Sequence, residues 1–127
     1  MEIQYAFFCE GVKFPDKPKG KITIIQPISA PTFKGVTSFQ MNMPLFVTFI
    51  NGDARSGHNL DVKAIDSSGN IIVLKEFKFR WQGTSPVQVT RFMLELPKID
   101  HSDILTFSFI LDGEPQKEIK IPFRIIR

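Results

Sequence analysis

Apolar and polar residues alternate with a period of two along most of this chain. Residues 71–82 place Phe77, Phe79 and Trp81 on one side, with Glu76, Lys78, Arg80 and Gln82 on the other. Such alternation predicts a strand with one buried and one wet face. Residues 117–125 repeat it, Ile119, Ile121, Phe123 and Ile125 opposing Glu118, Lys120, Pro122 and Arg124; in 87–96, Phe92, Leu94 and Leu96 oppose Arg91, Met93 and Glu95. Two runs are apolar on both sides. In 39–50, Met41, Met43, Leu45, Val47 and Phe49 share one side, with Phe46 and Ile50 on the other; in 104–111, Phe107, Phe109 and Leu111 oppose Ile104, Ser108 and Ile110. Residues 3–14, 21–28 and 59–66 are also strand-like.

The breaks carry turn chemistry. Asp66-Ser-Ser-Gly-Asn70 and Asp112-Gly113-Glu114-Pro115 supply side-chain acceptors and residues tolerant of positive φ, as short hairpin loops require. Pro15–Gly20, Asn51–Gly57 and Gly83–Pro86 mark three more breaks, and the polar stretch Pro97–Asp103 has room for one helical turn. No segment shows a capped stripe at the helical period. Eight such strands predict one all-β domain over 1–127, a two-sheet antiparallel β-sandwich of the immunoglobulin-like kind with seven to eight strands. Pro44 and Pro122 lie within predicted strands, and proline cannot donate to a ladder. Either both strands are edges or one is interrupted there, which favours an open sandwich over a closed barrel.

Composition changes this picture in one respect. Thirteen of the aromatic residues are Phe, beside one Tyr and one Trp. Phe brings area without hydrogen-bonding capacity, so the chain is built for a dry core. Phe33 and Phe46 have no evident place in that core, and they are candidates for an interface.

Charge and single residues narrow the chemistry. Sixteen Lys and Arg against thirteen Asp and Glu leave +3, too little for a polyanion partner, so nucleic acid is not expected. The densest basic stretch, Lys13, Lys17, Lys19 and Lys21 around Asp16, reads as a solvated turn. Lys75, Lys78 and Arg80 interleave with Phe77, Phe79 and Trp81, but alternation separates aromatics from most of the cations, and a stacking platform needs both on one exposed face. The single Cys9, in an apolar run, excludes an intrachain disulfide and reads as a buried, inert thiol. No secretory leader is visible and no run approaches the roughly 20 apolar residues of a membrane span. A soluble, cytoplasmic chain without a membrane partner is the expectation.

No catalytic constellation stands out. His58 and His101 are the only histidines, and zinc spacing is absent. Asp100-His101-Ser102-Asp103 collects triad residue types, yet triads are assembled by geometry across a fold, and a capping loop explains the cluster. Asp53, His58 and Asp61 around a Gly-bearing loop offer too few oxygens, beside Arg55, for calcium. Metal and cofactor sites are therefore not expected, and neither is enzymatic activity.

Two stretches carry a resemblance. Tyr5-Ala-Phe-Phe-Cys9-Glu10-Gly11-Val12 followed by Gly20-Lys-Ile-Thr-Ile-Ile25, and Leu94-Glu-Leu-Pro97 through Phe107–Gly113 and Ile119-Lys-Ile-Pro122, are similar to the two ends of a family of small bacterial β-sandwich domains of unknown function. Where that family has Gly-x-Tyr before its penultimate strand, this chain has Asp103-Ile104-Leu105. The resemblance implies a β-sandwich and no chemistry. Taken together, the expectation is an interaction or structural module that forms a homo-oligomer or binds another protein, its surface including Phe33, Phe46 and Trp81. The alternative is a small-ligand or carbohydrate-binding module stacking its ligand on Trp81 and nearby aromatics.

Overall fold

The turn residues fold as their chemistry requires. Asp112 (φ 49°) and Gly113 (φ 84°) form a two-residue loop with positive φ at both positions, the turn whose twist matches an antiparallel pair. In the other hairpin the Asp66 carboxylate accepts from the backbone N–H of Ser68 (3.0 Å) and Asn70 (2.9 Å), and Gly69 takes φ 87°. A computed structural model describes residues 1–13, 23–52, 57–81 and 87–127 of the chain. The basic stretch from Lys17 to Lys21, Phe14, Asp53, Arg55, Gln82 and the 83–86 break lie outside the described residues.

Nine strands are present among the described residues: β1 (Glu2–Lys13), β2 (Thr23–Pro27), β3 (Thr32–Lys34), β4 (Asn42–Ile50), β5 (Gly57–Ile65), β6 (Ile71–Arg80), β7 (Val87–Glu95), β8 (Asp103–Leu111) and β9 (Glu114–Ile126). They form a β-sandwich of two sheets, ordered β2-β1-β4-β7 and β3-β9-β8-β5-β6. Every pairing is antiparallel except β3 with β9, which is parallel. The order is immunoglobulin-like: β1, β4 and β7 stand as strands A, B and E, while β9, β8, β5 and β6 stand as G, F, C and C′. The inter-sheet disulfide of antibody domains has no counterpart, since Cys9 is the one cysteine; Leu45, Val47, Phe107 and Phe109 fill β4 and β8 instead.

Three expectations need correction. β3 escapes periodicity because three residues hold no period. Residues 97–103 form no helical turn: Phe39 and Ile99 exchange backbone hydrogen bonds (2.8 and 2.9 Å), prolonging the β4–β7 pairing beyond Pro97. Neither proline marks an edge strand, because β4 and β9 both have two neighbours. Each proline falls where only one neighbour is engaged. Pro44 faces Met93 before the β1 register begins at Leu45, and Pro122 faces Ile104 before the β3 register begins at Arg124.

Phenylalanine rings tie the sheets together. Phe8 of β1 meets Phe107 (4.8 Å) and Phe109 (5.9 Å) of β8; Phe107 meets Phe123, which stacks on Phe39, and Phe39 stacks on Phe33. Towards the other edge, Phe49 of β4 stacks on Phe79 of β6, and Phe92 of β7 packs on Phe77 (4.8 Å). Most of these rings are buried, and offset or tilted pairs add stabilisation beyond area alone.

Candidate interaction surface

Only Phe7 and Phe46 among the described Phe rings lack a place between the sheets, and they mark the surface of interest. A register shift between Ile3 and Tyr5 resets the parity of β1, so that Tyr5 and Phe7 turn outward while Ile3 and Phe8 turn inward. Directly paired residues share a face. Phe7 pairs with Phe46 and Phe46 with Arg91; Tyr5 pairs with Thr48 and Thr48 with Val89; Pro44 pairs with Met93, and Ile50 with Val87. The outer face of the four-stranded sheet is thus an apolar field. Tyr5 is 50% exposed and Met93 37%, while Thr48 at its centre is buried.

Inside that field the groups order one another. The Tyr5 and Phe7 rings stack at 5.9 Å with planes 20° apart. The Arg91 guanidinium lies 6.0 Å from the Phe46 centroid, within cation–π range. Among the described residues Arg91 is the sole charge in the body of the face; Glu2, opposite Ile50, and Glu95, opposite Asn42, stand at its two ends. The outer face of the other sheet is different in kind. Asp61, Lys63, Glu76, Lys78, Glu118 and Lys120 alternate there with Thr106, Ser108 and Ile110, and the outward Ile65, Leu74 (64% exposed) and Ile104 (52%) are scattered among them. The two-sided apolar runs therefore have different fates: the outer side of 39–50 joins Tyr5 and Phe7, whereas that of 104–111 is interspersed with charged residues.

The residues expected to form an interface separate. Phe46 lies on the apolar field. Phe33 has a partner within the chain, stacked 4.0 Å from Phe39 with planes 7° apart, because the unexpected strand β3 carries it to the core. Trp81 is 3% exposed, with the backbone of Gly52 against the indole face. A ligand has no ring face to stack on there, so the Trp81 platform is corrected to a core residue. Tyr5, Phe7, Val89, Arg91 and Met93 were not singled out by sequence. Their outward parity on β7 is visible in it, but the adjacency of β1, β4 and β7 is not.

The polar clusters form separate local arrangements. His101 Nδ1 lies 2.8 Å from Asp100 Oδ1, and its Nε2 lies 3.6 Å from Asp103 Oδ2. Ser102 is occupied with strand β9: its hydroxyl accepts from Ile125 N–H (2.8 Å). Asp100, His101 and Ser102 therefore do not assemble as nucleophile and base. The Asp100 hydrogen bond holds the His101 pKa above its ordinary 6.5, and the same bond holds Asp100 below its ordinary 3.8. For Asp103, burial raises the pKa, but the hydrogen bonds from Ser67 and Ile104 outweigh it and leave the carboxyl low. A raised histidine pKa stabilises the fold at low pH and loses that contribution as pH rises through the folded value. Asp100 works the other way, its contribution vanishing as pH falls through its own depressed value. The pair is therefore strongest between the two ordinary values, 3.8 and 6.5. An NMR titration is expected to give His101 a midpoint above 6.5, moving down in Asp100→Asn; a midpoint at or below 6.5 in the unaltered chain contradicts the pairing.

His58 pairs with Asp112 (Nδ1 to Oδ2, 2.6 Å), whose other oxygen accepts from Asn59 N–H (2.9 Å). Asp61 projects from the opposite face of β5, so His58 and Asp61 do not converge; among the described residues no group of three or more His, Cys, Asp or Glu is placed to hold a metal. Cys9 is buried, its thiol facing Gly11 O (3.4 Å), and burial raises its pKa, the reverse of an activated nucleophile. A cleft of about 510 Å³ opens beside Pro44, between Glu10, Gln26, Pro27, Pro31 and Met41. Gln26 reaches it with φ 48°, a left-handed backbone unusual for glutamine, and its amide donates to the Glu10 carboxylate.

No helix among the described residues is long and apolar enough to cross a membrane. No family model matches the chain, and no curated protein matches it. Among solved structures it is similar to the "putative beta-galactosidase" from Bacteroides fragilis, at 16% identity and a TM-score of 0.42. The likeness takes in 69% of this chain, which spans 16% of the length of that one. What the strand order and register establish is a β-sandwich whose four-stranded sheet groups apolar residues on its outer face, while the outer face of the other sheet mixes acids and bases with exposed apolar residues, Leu74 (64%) and Ile104 (52%) among them.

Proposed function

We propose that the chain is an interaction module without a catalytic step, and that it self-associates through the outer face of its four-stranded sheet. The observation that carries this reading is the grouping of Tyr5, Phe7, Phe46, Val89 and Met93 into one apolar field beside Arg91, whereas on the opposite sheet the outward Leu74, Ile65 and Ile104 are interspersed with acids and bases. Interface centres are rich in aromatic residues, Met and Arg and poor in Lys, Asp and Glu. A contiguous apolar field on a soluble domain marks a contact surface, since isolated apolar residues suffice for ordinary surfaces. The field also lacks the convergent polar groups that orient a sugar or other small ligand. Arg91 stands on the edge strand β7, with Glu2 and Glu95 at the two ends of the face.

Strand spacing of about 4.8 Å and a rise of about 3.3 Å per residue make the three-strand face roughly 15 Å by 25 Å, about 375 Å² per copy and about 750 Å² for a pair, which is below the roughly 1,200 Å² of specific interfaces and allows weak association only. Association is accordingly expected in the micromolar range. Light scattering at up to about 100 µM should give a dimer mass. Tyr5→Glu and Met93→Glu, both at exposed positions, should each weaken the dimer by about tenfold or more. Leu74→Glu, 64% exposed on the other sheet, should leave it unchanged. A monomer mass at every concentration, or disruption by Leu74→Glu alone, overturns the proposal.

A further inference from the structure

The two long edge strands, β6 and β7, meet along one open side of the sandwich. The other two edges are short: β2 has five residues and ends at Pro27, and β3 has three. Short strands and proline blunt an edge, whereas a long edge offers a row of backbone N–H and C=O groups on which another strand can grow. β6 carries that hazard. It has ten residues and opens on Ile71-Ile72-Val73-Leu74, an uncharged, strand-favouring run in which Ile71 is 57% and Leu74 64% exposed. On β7, Gln88 and Thr90 pair with the buried Phe49 and Val47 and so face inward at an edge, and the Gln88 amide donates to Arg80 O of β6 (2.9 Å). One backbone acceptor at the end of β6 is thereby occupied.

Lys75 follows the apolar run and is the cation that alternation leaves on the aromatic side of its strand. The pairing with β5 sets Val73 opposite Ala64, Lys75 opposite Val62 and Phe77 opposite Leu60, and those three β5 residues are wholly buried. Directly paired residues share a face, so Lys75 lies on the inner side of its sheet, two positions from Phe77, which packs on Phe92 of β7. It is nevertheless exposed, since β6 is the last strand of its sheet and an edge leaves the ammonium a way to water. Glu76 stands on the outer side, 3.7 Å from Lys78. We propose that Lys75 keeps the folded chain from polymerising through the β6 edge. A strand added there would continue the five-stranded sheet and place a side chain about 5 Å from Lys75 on the same side. In the β6 of a second copy the residues of matching parity are Val73, Lys75, Phe77 and Phe79, none of them an acid. The ammonium would lose its path to water without gaining a carboxylate, and a buried charge left unpaired disfavours the pairing strongly. An isoleucine at 75 would instead complete an inner row with Val73 and Phe77 that a second copy's β6 can extend. The device lies on a different sheet from the apolar field around Phe46, so it stands independently of association there.

Light scattering over time tests this. Lys75→Ile, held at about 50 µM, should form assemblies larger than a dimer at least about tenfold faster than the unaltered chain. Lys78→Ile adds the same side chain on the outer side of the same strand and should not. Lys75→Glu, which keeps a charge facing inward, should not either. Hydrogen exchange of the Lys75→Ile assemblies should retain the protection of β4 and β8, as a folded chain requires, and newly slow amides along β6. Lys75→Ile that behaves as the unaltered chain overturns the proposal. So does Lys78→Ile or Lys75→Glu assembling as fast, loss of protection in β4 and β8, or new protection confined to another strand.

Discussion

Phe107→Ala is expected to cost about 3–5 kcal/mol of folding stability, read from the midpoint of chemical denaturation. The ring is wholly buried at the middle of β8 and touches Phe8 of the other sheet at 4.8 Å and Phe123 of β9 at 6.4 Å. Its removal takes away the transfer free energy of a large side chain and leaves a cavity that two rigid sheets cannot close. A domain of this kind has roughly 5–15 kcal/mol in total, so the variant should be close to unfolding at physiological temperature. Leu74→Ala, on the wet side of β6, should stay within about 0.5 kcal/mol and serves as the reference. A loss below about 1 kcal/mol at Phe107 contradicts this packing.

Gly52→Ala should be the most damaging of the small substitutions. A Cβ at position 52 would fall inside contact distance of Trp81 Cδ2 and Cε3, atoms in the body of the indole with no freedom to swing aside. The ring is 3% exposed, so making room requires displacing either it or the backbone; overpacking of this kind costs about 1–3 kcal/mol. Trp81, as the single tryptophan, reports the change directly. Its emission should shift to the red and become easier to quench with acrylamide in the variant, alongside the lower midpoint. Unchanged emission with unchanged stability overturns the close approach. By contrast Gly57→Ala, with nothing near the added carbon, should change little.

Much of the fold was legible from residues 39–50, 71–81, 87–96 and 104–111, where inward and outward positions fall as alternation predicts. Alternation is a property of the strand itself and needs no knowledge of its neighbours. The Asp66–Asn70 and Asp112-Gly113 turns were legible for the same reason, since a side-chain acceptor and a positive φ act within a few residues. Less of the candidate surface was legible. Phe46 stands out in the sequence because it faces away from Leu45 and Val47, whereas Phe33 resembles it there only because β3 is too short to show a period. Alternation places Trp81 on the buried side, where it is; the alternative ligand-binding role is removed by its contact with Gly52, and no local rule connects positions 52 and 81.

Sequence alone thus determined that this chain folds into strands, which side of most of them is apolar, and where two hairpins turn. Those outcomes depend on steric and hydrogen-bonding preferences spanning a few residues. The tertiary structure decided the rest: that β1, β4 and β7 lie side by side and pool their outward apolar residues, that β3 runs parallel to β9, and that each proline sits beside an unengaged flank. These depend on pairings between distant segments. One of them also turns on a single register shift before Tyr5, because shifting a strand by one residue sends every side chain to the opposite face.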